Sequence, residues 1–164
     1  MEHGEAILDP RSSIPTLVVA GDGPLRGELE RELAGLGVRL RLLDWVEHDE
    51  VLRLIAACEL LLFPSAWGEP LSRVPLEAGA CGAAVLAMPT GGTPYILEDG
   101  ATGALEASVG GFARRLAELL AAPAERRRLG QAAHQMVARR FAKDALVRRV
   151  EALYQQLIPA SFTI

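Results

Sequence analysis

Two glutamates eight positions apart are the residues of this sequence whose type and spacing could do chemistry. Glu69 and Glu77 bound the stretch "EPLSRVPLE", whose two prolines disfavour a continuous helix. Glu77 has a simple structural explanation. If Pro75 is the first residue of a helix, Glu77 is the third, where the helix dipole favours a carboxylate. Glu69 has no such explanation, because it follows Gly68 in a loop where no periodic face requires a charge.

The backbone between the two glutamates could bind an anion. Amides at a helix start have no partner within the helix and point outward. Here they belong to Leu71, Ser72, Arg73 and Val74. Carboxylates accept hydrogen bonds from sugar hydroxyls but repel bare phosphate, so a ligand that suits both features carries hydroxyls and phosphate together. A nucleotide sugar is such a ligand.

Alternating strands and helices must position these residues. Apolar runs predict strands at 16–20, 38–43, 60–64 and 83–87 and a weak strand at 104–106, and the first is expected to be buried on both faces. Helices are predicted at 24–36, from 48 or 49 to 58, and at 74–81, 94–98, 110–122, 124–140 and 142–157. This order predicts an α/β fold with a Rossmann-like, doubly wound parallel sheet and C-terminal helices. Ligands of such sheets bind beyond the carboxyl ends of the strands.

Composition excludes several classes of protein. Half of the residues are hydrophobic and 5% are aromatic, which suits Ala-rich helices on a sheet and argues against disorder. No apolar run approaches the roughly 20 residues of a membrane span, and no signal-peptide pattern opens the chain, so a cytoplasmic location is expected. Cys58 and Cys81 are expected to be buried free thiols. The histidines lack metal-ligand spacing, so neither a metal nor a cofactor is expected.

Charge is unevenly distributed. Residues 1–110 hold 7 Lys/Arg against 17 Asp/Glu, whereas residues 111–164 hold 10 against 4. Solvated helix faces are the simplest interpretation of the basic end, and peripheral contact with an anionic membrane surface or a protein partner is the alternative. No aromatic platform accompanies these arginines, so no nucleic-acid partner is expected.

The stretch "AGDGPLRG" is similar to a phosphate-binding turn. It is not the dinucleotide fingerprint, because Arg26 stands where the third glycine would be. Asp44, at the end of the next strand, could nevertheless serve as the ribose-binding acid of a nicotinamide-binding fold. An NAD-dependent oxidoreductase domain therefore stays open as an alternative.

Three segments, taken together, carry a family resemblance. "LVVAGDGP", "LLLFPSAWGEPLSRVPLEAGACGAAVLA" and "GGTPYILEDGATGAL" resemble, in order and spacing, the C-terminal, donor-binding domain of group-1 retaining glycosyltransferases with the GT-B fold. The resemblance implies a nucleoside-diphosphate sugar as donor substrate. It places the nucleotide-sugar-binding domain at residues 16–164, after a lead of residues 1–15 that could contain a short strand.

The resemblance also implies roles for individual residues. Glu69 and Glu77 would be the ends of the family's E-x7-E motif, with Glu77 on the ribose hydroxyls. Glu69, the residue closest to catalysis, would contact hydroxyls of the transferred sugar. The remaining donor contacts implied are the backbone of Leu71, Ser72, Arg73 and Val74 at sugar and diphosphate, Gly21 near the phosphates and Val46 near the base.

The sequence departs from the family pattern in several places. Pro70-Leu71-Ser72 replaces the usual Gly-Phe-Gly, and Tyr95 stands where Glu is usual. In the family, a strand and a helix that carry an Arg and a Lys for the diphosphate precede the segment that corresponds to "AGDGP". We find no counterpart of these two elements, or of the family's N-terminal acceptor domain, in this sequence. We therefore expect a missing acceptor domain or a partner chain. The missing strand would leave a gap in the middle of the sheet, between the strands predicted at 16–20 and 60–64. The gap could be filled by a strand from residues 5–9, by direct pairing of the two flanking strands, or by another chain. An unfilled gap favours self-association.

Two further alternatives stay open at this point. The chain could be a non-catalytic nucleotide-binding or interaction module that keeps the fold without the chemistry. It could also be a sugar-nucleotide epimerase with the same two-domain architecture, although the context of the two glutamates favours a transferase.

Overall fold

A computed structural model of the protein describes residues 14–157, in which strands and helices alternate. The strands are β1 (Thr16–Ala20), β2 (Arg39–Leu43), β3 (Leu61–Phe63), β4 (Val85–Ala87) and β5 (Ala104–Leu105). The helices are α1 (Arg26–Leu33), α2 (His48–Ala57), α3 (Arg73–Cys81), α4 (Thr93–Ile96), α5 (Val109–Ala121), α6 (Pro123–Arg140) and α7 (Lys143–Leu157). All the pairings between these strands are parallel, which confirms the predicted α/β class.

The chain divides into two compact units, and the boundary follows Cys58. We call the described residues 14–58 the N-terminal unit and the described residues 59–157 the C-terminal unit. The first contains the sheet β1-β2 and the second the sheet β3-β4-β5. Within the first unit β1 pairs with β2, and within the second β3 pairs with β4. Residues 5–9, one of the three ways to fill the gap, lie outside the described residues.

Side chains of the N-terminal unit are only partly covered. The prediction that β1 is buried on both faces is wrong: its first four residues are half-buried and Ala20 is exposed. Burial on both faces requires helices against both faces of a sheet, and α1 has no buried residue. The first turn predicted for α1 is also absent, since Leu25 precedes the helix and is exposed.

The C-terminal unit has a continuous apolar core. All three residues of the central strand β4 are fully buried. Helices α5 and α6 contribute Leu119 and Leu129 to the core. The complete buried cluster is Ala84, Leu86, Ala104, Leu119 and Leu129, with Leu60, Leu62, Phe112 and Leu116 packed against it.

Helix α3 lies close against α6 because glycines form their contact. A Cβ atom on Gly79 would lie 2.7 Å from Cγ2 of Val137, and one on Gly130 would lie 2.1 Å from the carbonyl oxygen of Gly82. The ring Nδ1 of His134 is 2.8 Å from the carbonyl oxygen of Ala80. Helix α6 therefore fixes the position of α3, which carries Glu77.

The two ends of α5 are satisfied by side chains. At its start, the Ser108 hydroxyl accepts a hydrogen bond from the Gly111 amide at 3.1 Å. At its end, the buried Arg126 donates to the carbonyl oxygens of Leu119 and Leu120, at 2.5 and 2.7 Å, and pairs with Glu59. Carbonyls of the last helical turn otherwise lack partners, so Arg126 ties α5 to the rest of the unit.

Candidate functional site

Helix α3 begins one residue before the predicted range 74–81 and two residues before Pro75, which the dipole argument for Glu77 took as the first residue. Its first residue is Arg73, so Pro75 is the third residue and Glu77 the fifth. Proline is tolerated there because amides of the first turn have no intrahelical acceptor. The helix dipole acts mainly within the first turn, and it therefore explains a carboxylate at Glu77 less well than the sequence suggested.

The start of α3 has the geometry expected of an anion site. Ser72 is the N-cap residue, is almost fully buried, and makes no capping hydrogen bond with its side chain. The backbone N–H groups of Ser72, Arg73 and Val74 have no acceptor within the helix, because they lie at its first positions. Leu71, just before them, is exposed. These backbone groups lie where the sequence predicted them.

Glu77 is held in an ion pair on its own helix. Its Oε1 atom is 3.1 Å from Nη2 of Arg73, one turn earlier. The Glu77 side chain is 18% exposed, whereas that of Arg73 is 78% exposed. Because the Arg73 side chain is open to solvent, water screens this ion pair from the Arg73 side. One turn later, burial and the Glu77 charge raise the pKa of the Cys81 thiol.

The loop that carries Glu69 is fixed through its main chain. The Gly92 amide donates to the Glu69 carbonyl oxygen at 2.8 Å. A Cβ atom on Gly91 would lie 2.1 Å from that same oxygen, and one on Gly92 would lie 2.1 Å from the Pro70 carbonyl oxygen. Gly91 also has φ +52°, which favours glycine. At both glycines the space that a side chain would need is taken by the chain's own backbone.

Two further hydrogen bonds fix the preceding residues of this loop. The Thr90 hydroxyl donates to the Ser65 carbonyl oxygen at 2.7 Å. The Glu69 amide donates to the Trp67 carbonyl oxygen at 3.0 Å, which closes a three-residue turn centred on Gly68. The loop after β4 thus supports the loop after β3 at both ends, and sequence reasoning missed this support.

Tyr95 stands where the resemblance predicts a Glu, and its ring makes contacts with Arg140 and Phe141. The Arg140 guanidinium lies 5.0 Å from the centroid of the Tyr95 ring. The Phe141 ring meets Tyr95 edge-on, with centroids 6.2 Å apart. The tyrosine therefore connects α4, which follows the glycine pair, to the end of α6. The sequence showed the substitution but gave no signal for this contact.

Gly21, in the N-terminal unit, combines open surroundings with an occupied amide. It has φ +127°, and a Cβ atom there would meet no atom within 4 Å. Its N–H donates to the carbonyl oxygens of Leu43 and Asp44 at 3.1 and 3.2 Å. A phosphate could approach Gly21 closely, but the amide already has acceptors.

Of the residues that follow β2, Asp44 forms an ion pair and Val46 is half-buried. The Asp44 carboxylate accepts from Nη1 of Arg26 at 2.8 Å, so the acid required by the oxidoreductase alternative already has a cationic partner. Val46 is half-buried just before α2, and Trp45 beside it is exposed.

Residues 14–157 contain neither a metal-ligand cluster nor a candidate membrane span. Within that range no three His, Cys, Asp or Glu side chains are grouped to hold a metal ion. None of the helices in the same range is long and apolar enough to span a bilayer. Cys58 and Cys81 form no disulfide, as expected, but both are half-buried and not buried as predicted.

Comparison with known proteins decides the family. The sequence profile described as "Glycosyl transferases group 1" matches residues 8–136. The chain belongs to the group 1 glycosyltransferases. This result and the neighbouring structures confirm the resemblance to a C-terminal GT-B domain.

A curated relative and two solved structures illustrate the similarity. N-acetyl-alpha-D-glucosaminyl L-malate synthase of Bacillus anthracis is 30% identical over 145 residues, which are 87% of this chain and 38% of that enzyme. Anabaena HepE in complex with UDP-glucose matches with TM-score 0.74 and 24% identity, over 86% of this chain and 41% of that one. The C-terminal domain of the group 1 protein LpcC from Francisella tularensis matches with TM-score 0.65 and 24% identity, over 78% of this chain and 70% of that domain.

Proposed function

We propose that this chain binds a nucleoside-diphosphate sugar and presents it for retaining glycosyl transfer. The observation that carries the proposal is the placement of two carboxylates around the start of α3. Glu69 is fixed by the main chain of Gly91 and Gly92, and Glu77 is fixed on a helix packed against α6. The UDP-glucose bound to Anabaena HepE supports a nucleotide sugar as the ligand class.

Each part of the site suits one part of the donor. Glu77 would exchange the exposed Arg73 for the ribose hydroxyls. Glu69 would accept hydrogen bonds from hydroxyls of the transferred sugar. The backbone amides of Leu71, Ser72, Arg73 and Val74, at the positive end of α3, suit the diphosphate and the sugar. Gly21 near the phosphates and Val46 near the base are proposed from the family resemblance alone.

The proposed reaction needs neither glutamate as a base or nucleophile. The acceptor hydroxyl would attack the anomeric carbon from the face that the nucleoside diphosphate leaves. The departing phosphate oxygen would take the acceptor's proton, so configuration is retained. The chain would contribute positioning and electrostatic stabilisation of the developing phosphate charge. Neither a metal nor a further cofactor forms part of this proposal.

An acceptor-binding domain completes the proposal. The chain spans 38% of the length of the relative from Bacillus anthracis, so the whole enzyme would include a further domain or a partner chain. Helix α7 supports this view, because it has no buried residue. It exposes apolar side chains at helical spacing, namely Leu146, Val150, Leu153 and Leu157. We therefore expect donor binding, but no transfer, from this chain alone.

Calorimetric titration tests the donor site. The purified chain would be titrated with UDP, GDP and ADP and with UDP-glucose, GDP-mannose and ADP-glucose. We expect binding of one nucleotide series, weakened at least about tenfold by Glu77→Ala through loss of the ribose hydrogen bonds. Glu125→Ala is the matched control, since it also removes an ion pair within a helix, that with Arg128.

Three results would argue against the proposal in different ways. No binding at millimolar ligand would refute the donor site. Equal loss of affinity in Glu77→Ala and Glu125→Ala would show that Glu77 does not contact the donor. Binding of NADH in place of the sugar nucleotides would favour the oxidoreductase alternative.

A further inference from the structure

Trp67 is an exposed aromatic side chain on a loop with a fixed backbone. It is 77% exposed in a chain that has only two tryptophans. Hydrogen bonds anchor the loop on either side of it, at the Ser65 carbonyl and at the Glu69 carbonyl. The indole is therefore exposed to solvent, and hydrogen bonds hold the loop backbone in place without packing of the indole.

The three-residue turn relates Trp67 directly to Glu69. The 3.0 Å hydrogen bond between the Glu69 amide and the Trp67 carbonyl places these residues at the two ends of one tight turn. A flat apolar face and a carboxylate are thus within reach of one small ligand. A pyranose ring has matching surfaces, because its hydroxyls surround its edge and its C–H groups cover its faces.

We propose that Trp67 stacks on the C–H face of the transferred pyranose while Glu69 binds the hydroxyls of the same ring. This inference rests on the proposed donor site and names a residue that determines which sugars it accepts. The face of an indole carries partial negative charge and attracts polarised C–H groups. Pyranoses with an uninterrupted C–H face toward the indole would be preferred over those with an axial hydroxyl on that face.

Fluorescence of Trp67 tests the contact in the full chain. Trp45→Phe makes Trp67 the only tryptophan and keeps an aromatic ring beside Val46, and calorimetry would check that this variant binds donor as the wild type does. The variant would be titrated with the nucleoside diphosphate that binds and with its sugar conjugate. We expect the conjugate to shift the Trp67 emission and to reduce its quenching by acrylamide. The diphosphate alone should change neither.

Substitution of Trp67 gives an independent measurement. Trp67→Ala should weaken binding of the sugar conjugate about tenfold and leave binding of the diphosphate unchanged. Trp67→Phe should retain most of the affinity, because it keeps an aromatic face. A folding defect would lower both affinities together, so the ratio of the two affinities distinguishes stacking from instability.

The possible outcomes separate this inference from the proposed function. If the conjugate binds but Trp67 emission, quenching and the Trp67→Ala affinity ratio stay unchanged, the stacking contact is refuted and the donor site stands. If the diphosphate alone protects Trp67, the indole contacts the nucleotide and the inference is wrong. If no ligand produces heat, the donor site and the stacking contact both fail.

Discussion

The two units differ in what their glycines do. In the N-terminal unit, Gly35 and Gly37 have φ of +83° and +68° and open surroundings, so they serve chain reversal. In the C-terminal unit, Gly79, Gly92 and Gly130 lie where another segment leaves no room for a side chain. Glycine therefore shapes local turns in both units, as Gly82 and Gly100 do in the second, but among the described residues it brings distant segments together only in the C-terminal unit. The site elements of the C-terminal unit depend on the second use.

Alanine substitutions of glycine should give the largest contrast between the units. In Gly130→Ala the new methyl group would collide with the Gly82 carbonyl oxygen, and we expect a loss of about 3 kcal/mol or more in unfolding free energy. Gly27→Ala in α1 is the matched control. Its methyl group would meet only Nη1 of Arg31 at 3.7 Å, so a gain of about 0.5 kcal/mol is expected. Urea denaturation measures both, and similar effects would contradict the contrast.

Removing one arginine from each unit should give a smaller contrast. Arg126→Met leaves two carbonyls at the end of α5 and the Glu59 carboxylate without their buried donor, and we expect a loss of about 2 kcal/mol. Arg26→Met removes ion pairs to Asp44 and Asp22 that are open to solvent, so a change within about 0.5 kcal/mol is expected. A larger effect of Arg26→Met in thermal unfolding would show that the N-terminal unit depends on its charges.

A smaller loss of stability than that of Arg126→Met is expected at the start of α5. Ser108→Ala removes the cap on the Gly111 amide, which should cost about 1 kcal/mol. The Ser108 amide, more than its hydroxyl, also holds the pKa of the Glu106 carboxyl below its usual value. The variant should therefore raise the pKa of Glu106 only in part, as NMR titration of its side chain would show.

The pH dependence of this group has a definite sign. The folded pKa of Glu106 is lowered, so its contribution to stability is complete above the unfolded pKa and is lost as pH falls through the folded value. Ser108→Ala should reduce that contribution without reversing its sign. A Glu106 pKa that does not move in the variant would show that the hydroxyl plays no part. α1 and α2 in the N-terminal unit begin without side-chain caps, and they offer no equivalent group.

Local patterns predicted most of the secondary structure. β1 has the predicted bounds, and α5, α6 and α7 begin and end within one residue of the sequence-based ranges, because their apolar periodicity is local. Gly82 ends α3 with φ +75°, as expected of a left-handed terminator. The range predicted for α3 also starts within one residue of the observed helix, but Pro75 is its third residue and not its first, since proline is tolerated at any early position of a helix.

Contacts between distant residues were not predictable. Nothing within the segment around Glu69 indicates that Gly92 donates to its carbonyl, because that contact joins loops after two different strands. The Tyr95 contact with Arg140 depends on the packing of α4 near the end of α6. Burial of β1 was overestimated for the same reason, since an apolar run does not reveal how many helices cover it. The chemical groups of the proposed site were predicted from the sequence, whereas the contacts that orient them required the structure.

The support of the Glu69 loop has a consequence for protein engineering. Gly91 and Gly92 lie against main-chain atoms of Glu69 and Pro70, so these contacts do not involve the side chains at positions 70 and 71. A combinatorial library at positions 70 and 71, with both glycines kept, would vary the surface offered to a sugar on an unchanged backbone. For the proposed donor site, selection from such a library would test whether positions 70 and 71 set the donor preference.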